Sequence, residues 1–261
     1  PGHLPDVSLV SGVFHQGCVV ALAASTAHHV DMGGFAPGSM PFGVTEIYQE
    51  GLQIPPTRLF KGGELDEVLY RFINQNVRTR HEVRGDLMAQ FAAAQIGQFR
   101  IDELLQREDP AEVFAYMDAI LDYAERRMRA AISTLPDGSY SGEDFLDDDG
   151  VVDEPVRITA TLTVKGDELK VDFTGTNKQV LGPLNARLSA ARACVYFAAK
   201  VVLDPDLPTN AGAYRPIDVF SPEGTILQAT YPAAIGNANI LTDQRVIDVL
   251  LAAFYQIAPD R

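Results

Sequence analysis

Two apolar runs, Val7-Ser8-Leu9-Val10-Ser11-Gly12-Val13-Phe14 and Cys18-Val19-Val20-Ala21-Leu22-Ala23-Ala24, are separated only by His15-Gln16-Gly17. Segments of this kind, joined by so short a glycine-containing link, have little choice but to form a β-hairpin. With the turn centred near His15 and Gln16, paired residues have numbers summing to about 31, so His3 falls opposite His28 and Asp6 opposite Ser25. The pairing matters because four of the chain's five histidines, His3, His15, His28 and His29, lie in this region, in and between the phrases His3-Leu4-Pro5-Asp6 and His28-His29-Val30-Asp31. Opposed residues carry Cβ atoms roughly 5 Å apart, a distance from which two imidazoles and a carboxylate reach one divalent cation. His3, Asp6 and His28 are therefore candidate metal ligands. Imidazole nitrogen combined with a hard carboxylate oxygen suits zinc, manganese or iron, and a site of this kind leaves positions open for water or substrate, as catalytic sites do. The same residues fit a plainer reading, in which Asp6 and Asp31 end strands and cap turns while the histidines pack at a wet sheet edge.

Composition narrows the possible roles. A chain of 261 residues with 46% hydrophobic and 21% charged residues is an ordinary globular protein of one large domain or two smaller ones. The net charge of -14 repels phosphate backbones and anionic lipid, and no basic stripe with interleaved aromatics is present. Nucleic acid and membrane surfaces are poor partners; small molecules and proteins are better ones. Cys18 and Cys194 both sit among apolar residues, as reduced buried thiols of a cytoplasmic protein do, with a disulfide between them left open. No run has the length of a membrane span, and the start lacks the pattern of a signal peptide. The first residue is Pro1 and the last, Arg261, follows a helical pattern, so the chain reads as a piece of a longer polypeptide.

Further along, Met32 to Gly43 carries too much glycine and proline for a helix or strand and reads as a shaped loop whose amides can approach a ligand, although no nucleotide-binding fingerprint is present. Glu46 and Glu50 stand four residues apart before the Pro55-Pro56 stop and are candidates for a base or a further ligand. Leu65, Val68, Leu69, Phe72 and Ile73 predict an amphipathic helix over Glu64 to Val77. Arg84-Gly85-Asp86 reads as the start of another helix, capped by Asp86, and Leu87, Phe91 and Ala94 carry its period to Leu104 and Leu105. Asp109-Pro110-Ala111-Glu112 reads as a capped start with Pro at the first position and glutamate closing a capping box. Arg126, Arg127 and Arg129 read as that helix's solvated end. The acidic loop Asp147-Asp148-Asp149-Gly150 marks a boundary between 1-150, holding the hairpin, loop and helices, and 151-261, which continues into a C-terminal part absent here. Val156–Val164 and Leu169–Phe173 form a second hairpin, and helices follow over about 186–203 and 241–257. Arg215 pairs with a carboxylate, more commonly of the protein than of a substrate. The whole pattern is α+β: antiparallel β-hairpins and a mixed sheet with packed amphipathic helices.

Gly2-His3-Leu4-Pro5-Asp6, Ala27-His28-His29-Val30-Asp31-Met32-Gly33-Gly34, Pro37-Gly38-Ser39-Met40 and the run from Glu46 to Pro56 occur in order, followed by Asn76-Val77-Arg78, Gly85-Asp86-Leu87, Leu135-Pro136-Asp137-Gly138, Val171 to Thr176 and Tyr214-Arg215-Pro216-Ile217. In these phrases the chain resembles the hydantoinase B/oxoprolinase family, the large metal-associated subunits or domains of ATP-dependent N-methylhydantoinases, 5-oxoprolinases, related lactamases, and acetone and acetophenone carboxylases. The resemblance implies a metal held by His3, Asp6 and His28. It also implies a hydantoinase A-type partner that binds ATP and phosphorylates a carbonyl oxygen, while this chain completes the chemistry. In the hydrolytic branch, water activated at the metal attacks the cyclic amide carbon of a hydantoin, 5-oxoproline or lactam, with Asp31, Glu46 or Glu50 accepting a proton. In the carboxylase branch, the metal stabilises an enolate that captures activated bicarbonate. A third reading is a non-catalytic scaffold whose hairpin docks the ATPase. Hydrolysis is preferred because hydrolytic members form the broader family group.

Overall fold

The apolar runs at the start of the chain do pair. Strand β1 (Asp6–His15) lies antiparallel to β2 (Cys18–His28) in a computed structural model that describes residues 2–260. Gln16 and Gly17 form the turn with φ of 49° and 81°, the left-handed pair whose twist matches a two-residue hairpin. The turn thus sits one residue later than expected, and the register shifts again between Val13 and Phe14. As a result Asp6, not His3, lies opposite His28. Cys18, expected to be buried, is exposed beside this turn, Cys194 is buried, and both are free thiols.

After the glycine-rich loop, the two short strands β3 (Phe60–Lys61) and β4 (Glu64–Leu65) pair across Gly62-Gly63. They take up the residues expected to begin a helix, so α1 runs from Glu67 to Asn76, with the Asp66 carboxylate accepting the Val68 and Leu69 amides. Leu65, Leu69 and Ile73 of the expected face do pack inward, but the face is turned toward Tyr70. Tyr70 and Ile73 point inward, and with Met32, Val77, Val83 and Leu87 they form a small core. Val68 and Phe72, expected in that core, face outward.

Helix α2 (Arg80–Arg107) begins ahead of Arg84-Gly85-Asp86, so Asp86 lies inside it and caps nothing. Two of its glutamines pin the hairpin. Gln90 Nε2 donates to the carbonyls of Val7 (2.8 Å) and Ser25 (3.1 Å), and Gln98 Nε2 donates to the Gly12 carbonyl (2.8 Å). One strand pair thereby gains the rigid backing that an isolated hairpin lacks. Helix α3 (Pro110–Ile132) starts at the predicted cap and proline, with Asp109 accepting the Ala111 amide and Pro110 at a position where a missing N–H costs nothing, but Glu112 does not close the expected capping box. Of the three arginines expected at a solvated end, Arg126 is exposed, but Arg127 and Arg129 are half-buried in ion pairs. Arg127 makes a two-pronged pair with Asp204, at 2.9 and 2.7 Å, and Arg129 bonds Glu125.

A four-stranded sheet follows, in the order β5 (Gly138–Leu146), β6 (Val156–Lys165), β7 (Glu168–Asp172), β8 (Ile217–Phe220). The first three strands are antiparallel neighbours, and β8 adds parallel to β7, giving the mixed sheet. Ile158, Ala160, Leu162 and Val164 of β6 are buried, as their alternation requires. Helices α4 (Leu188–Leu203) and α5 (Thr242–Ile257) match the predicted segments and join the C-terminal half of α3 in the larger core, which runs from Ala124 to Ile257. The acidic loop connects β5 to β6 within this sheet, and Asp149 is buried there, accepting the Val151, Val152 and Gly182 amides. Arg215 pairs with Asp122 and Glu125 of α3. Among the described residues no helix is long and apolar enough to cross a membrane.

Candidate metal centre

His3 precedes β1 and enters the site through a turn: the Asp6 amide bonds the His3 carbonyl at 3.3 Å, folding the His3 side chain over that of Asp6. Across the hairpin, His28 faces Asp6. His3 Nε2 lies 3.0 Å from Asp6 Oδ1 and 3.0 Å from His28 Nδ1, and His28 Nδ1 lies 3.1 Å from Asp6 Oδ1. The other ring nitrogen of His3, Nδ1, donates to the Gly236 carbonyl at 3.1 Å, which aims Nε2 at Asp6 and His28. Exposure is graded across the trio, with side chains 1% accessible at His3, 26% at Asp6 and 50% at His28. The site is closed behind His3 and open beside His28.

The donor set fits a divalent cation. Among the described residues this is the single group of three or more His, Cys, Asp or Glu side chains close enough to share an ion. Ligands about 2.1 Å from an ion and separated by right angles stand about 3.0 Å apart. Two imidazoles and one carboxylate on one side of an ion form the arrangement that leaves its remaining positions free. The trio was found in the sequence in spite of the misplaced register, because the turn at His3 supplies the approach that strand pairing does not.

The other candidate residues are held differently. Asp31 is buried and uses both oxygens: Oδ1 accepts the amides of Gly33 and Arg78, each at 2.9 Å, and Oδ2 accepts the Gly38 amide at 3.1 Å and Arg78 Nη1 at 2.9 Å. Burial alone would raise its pKa, but these donors outweigh it and hold the carboxyl below its usual range. A carboxylate so fully occupied is a weak base; its visible work is to fold the glycine-rich loop. Arg78 extends that network to the carbonyls of Gly34 and Ala36. Glu46 is exposed and forms a reciprocal cap with Gln49 on a short 3-10 turn. Glu50, at the end of that turn, is fully buried, and burial pushes its carboxyl up to about 7 against the pull of two amide donors. His29, next to His28 in the chain, points into the interior and bonds Gln90 at 3.0 Å.

Sequence reasoning missed Arg78, Gln90 and Gly236. Two glutamines eight residues apart on one face of an alanine-rich helix were a usable signal for the hairpin support. Nothing in the sequence links Gly236 to His3, which is 233 residues away.

The description of the hydantoinase B/oxoprolinase family matches residues 1–261, the entire chain. The chain belongs to this family. It is 33% identical over 260 residues to the caprolactamase subunit beta of Pseudomonas jessenii, covering 99% of this chain and 45% of that protein. It is 31% identical over 278 residues to 5-oxoprolinase 1 of Arabidopsis thaliana, covering 98% of this chain and 22% of that one. The crystal structure of the ATP-dependent caprolactamase from Pseudomonas jessenii superposes with a TM-score of 0.94 at 32% identity, over 99% of this chain and 45% of that one. The nucleotide-free structure of acetone carboxylase shares the fold, with a TM-score of 0.84 at 17% identity over 91% of this chain and 33% of that one. The chain thus spans less than half the length of these relatives.

Proposed function

We propose that this hydantoinase B/oxoprolinase-family chain forms the metal-holding portion of a subunit that opens a cyclic amide ring, acting with a hydantoinase A-type partner that uses ATP to activate the amide carbonyl. The observation that carries this reading is the convergence of His3 Nε2, Asp6 Oδ1 and His28 Nδ1 within 3.1 Å, open to solvent on one side. Zinc, manganese or iron held there would supply a Lewis acid and lower the pKa of water. The chain's own residues prepare that place. Gly236 fixes the His3 ring, Asp6 contributes the negative charge, and the half-exposed edge of His28 leaves room for a ring-shaped substrate. Asp31 folds the neighbouring loop through Arg78 and is kept from roaming as a free base.

The test uses the full-length protein with its ATP-binding partner. Metal content is measured on the wild type and on His3→Ala and His28→Ala, each checked for folding. Hydantoins, 5-oxoproline and lactams are then assayed for ATP-dependent ring opening. The reading expects near-stoichiometric metal in the wild type, its loss in both variants, and activity that follows the metal. Metal that survives both substitutions moves the site elsewhere. Turnover of a ketone with bicarbonate, and of no cyclic amide, replaces hydrolysis by carboxylation.

A further inference from the structure

The connection between Glu50 and His3 adds a residue to this centre, and the inference rests on the metal reading above. The segment 46–50 is clasped to the loop that follows Tyr231. Ile47 N–H donates to the Pro232 carbonyl at 2.9 Å, Glu46 bridges Ala233, and Glu50 Oε1 accepts the amides of Ile235 at 2.7 Å and Gly236 at 2.6 Å. The peptide carbonyl of that same Gly236 receives the His3 Nδ1 proton. Gly236 permits this approach because a Cβ there would stand 3.1 Å from Glu50 Oε1, tighter than most real Cβ contacts.

We propose that Glu50 is a positioning residue for the metal centre: by gripping the Ile235 and Gly236 amides it sets the Gly236 carbonyl that holds the His3 Nδ1–H and aims Nε2 at Asp6 and His28. A carboxylate that merely closes a loop would be replaceable without consequence for His3. The role defined here depends on the reach of the acceptor oxygen and not on its charge. Glu50→Gln keeps an acceptor at the same reach and removes the charge. Glu50→Asp keeps the charge and withdraws the oxygen by one methylene. Gly236→Ala crowds the contact from the other side.

Two readouts on the full-length protein test this. The first is the hydrogen-bonded His3 Nδ1–H proton in chelator-treated protein, read by nitrogen–proton NMR after histidine labelling and assigned by its loss in His3→Ala. The second is zinc affinity by competition with a chromophoric chelator. The wild type and Glu50→Gln should both protect this proton from solvent exchange and agree in zinc affinity within about threefold. Folded Glu50→Asp and Gly236→Ala should lose the protection and bind zinc about 10- to 100-fold more weakly, the usual cost of losing an outer hydrogen bond to a metal ligand. Wild-type protection and affinity in Glu50→Asp, or equal impairment in Glu50→Gln and Glu50→Asp, would overturn the proposal. If the wild type binds no metal, the metal reading fails, and the proton comparison alone still decides what Glu50 does.

Discussion

Glu50→Gln should change how the stability of the fold depends on pH. The wild-type carboxyl is buried, with Oε1 bonded to two amides and Oε2 without a partner, and its pKa is raised from 4.5 to about 7. The folded state therefore keeps this proton while the unfolded chain releases it. The contribution of Glu50 to stability should be greatest below about pH 4.5, fall as pH rises toward about 7, and level off above that. At about 1.4 kcal/mol per pKa unit, the loss is on the order of 3 kcal/mol. Asp243, raised by burial to about 6, adds a fall of the same sign, so the comparison must be between variants and not against a flat line. Glutamine keeps the acceptor for the Ile235 and Gly236 amides and has no proton to lose, although its NH2 group inherits the unpartnered place of Oε2. Urea unfolding at intervals from pH 4.5 to 8, with chelator present so that metal binding adds no proton linkage, measures the difference. The stability of Glu50→Gln relative to wild type should improve by on the order of 3 kcal/mol across that range. Parallel curves for the two proteins would refute the reasoning, because they would mean that Glu50 titrates alike in the folded and unfolded states.

Asp31 predicts the opposite dependence. Its depressed pKa contributes stability that is present above about pH 3.8 and lost as pH falls through the folded-state value, so Asp31→Asn should flatten the acid limb of the unfolding profile. Removing the guanidinium from this network by Arg78→Ala should cost on the order of 2 kcal/mol in urea unfolding at neutral pH, since a buried carboxylate loses its charged partner. Gln90→Ala strips partners from the carbonyls of Val7 and Ser25, and amide exchange in β1 and β2 should accelerate while that of β6 stays unchanged. Asp109→Ala removes the cap of α3 and should lower stability by about 1 kcal/mol, seen as a lower thermal midpoint.

The features legible in the sequence were those fixed by neighbours along the chain. The β6–β7 hairpin declares itself by alternation around Gly166, α3 by Asp109-Pro110, and α4 and α5 by unbroken apolar periods. The His3, Asp6 and His28 grouping was legible for a reason only partly correct, since a turn and not strand pairing delivers His3. The true face of α1 was hidden because Leu65, the first residue of its apparent apolar period, was claimed by β4, a strand too short to show a pattern. Arg127 reads as a helix-end cation until the fold brings Asp204 to it. Glu50 was visible as a carboxylate, but its direction was not: only the distant loop 232–236 decides that it points inward and Glu46 outward.

The bond from His3 to Gly236 also sets an order of events during biosynthesis. His3 is translated 233 residues before the carbonyl that orients it. Of the trio, the residue made first is the last to be aligned. The hairpin and α2 can assemble early around Gln90 and Gln98, but the centre has its full geometry only once the loop beyond Tyr231 has been made and docked. A polypeptide truncated ahead of residue 236 would carry His3, Asp6 and His28 without the contact that orients the first.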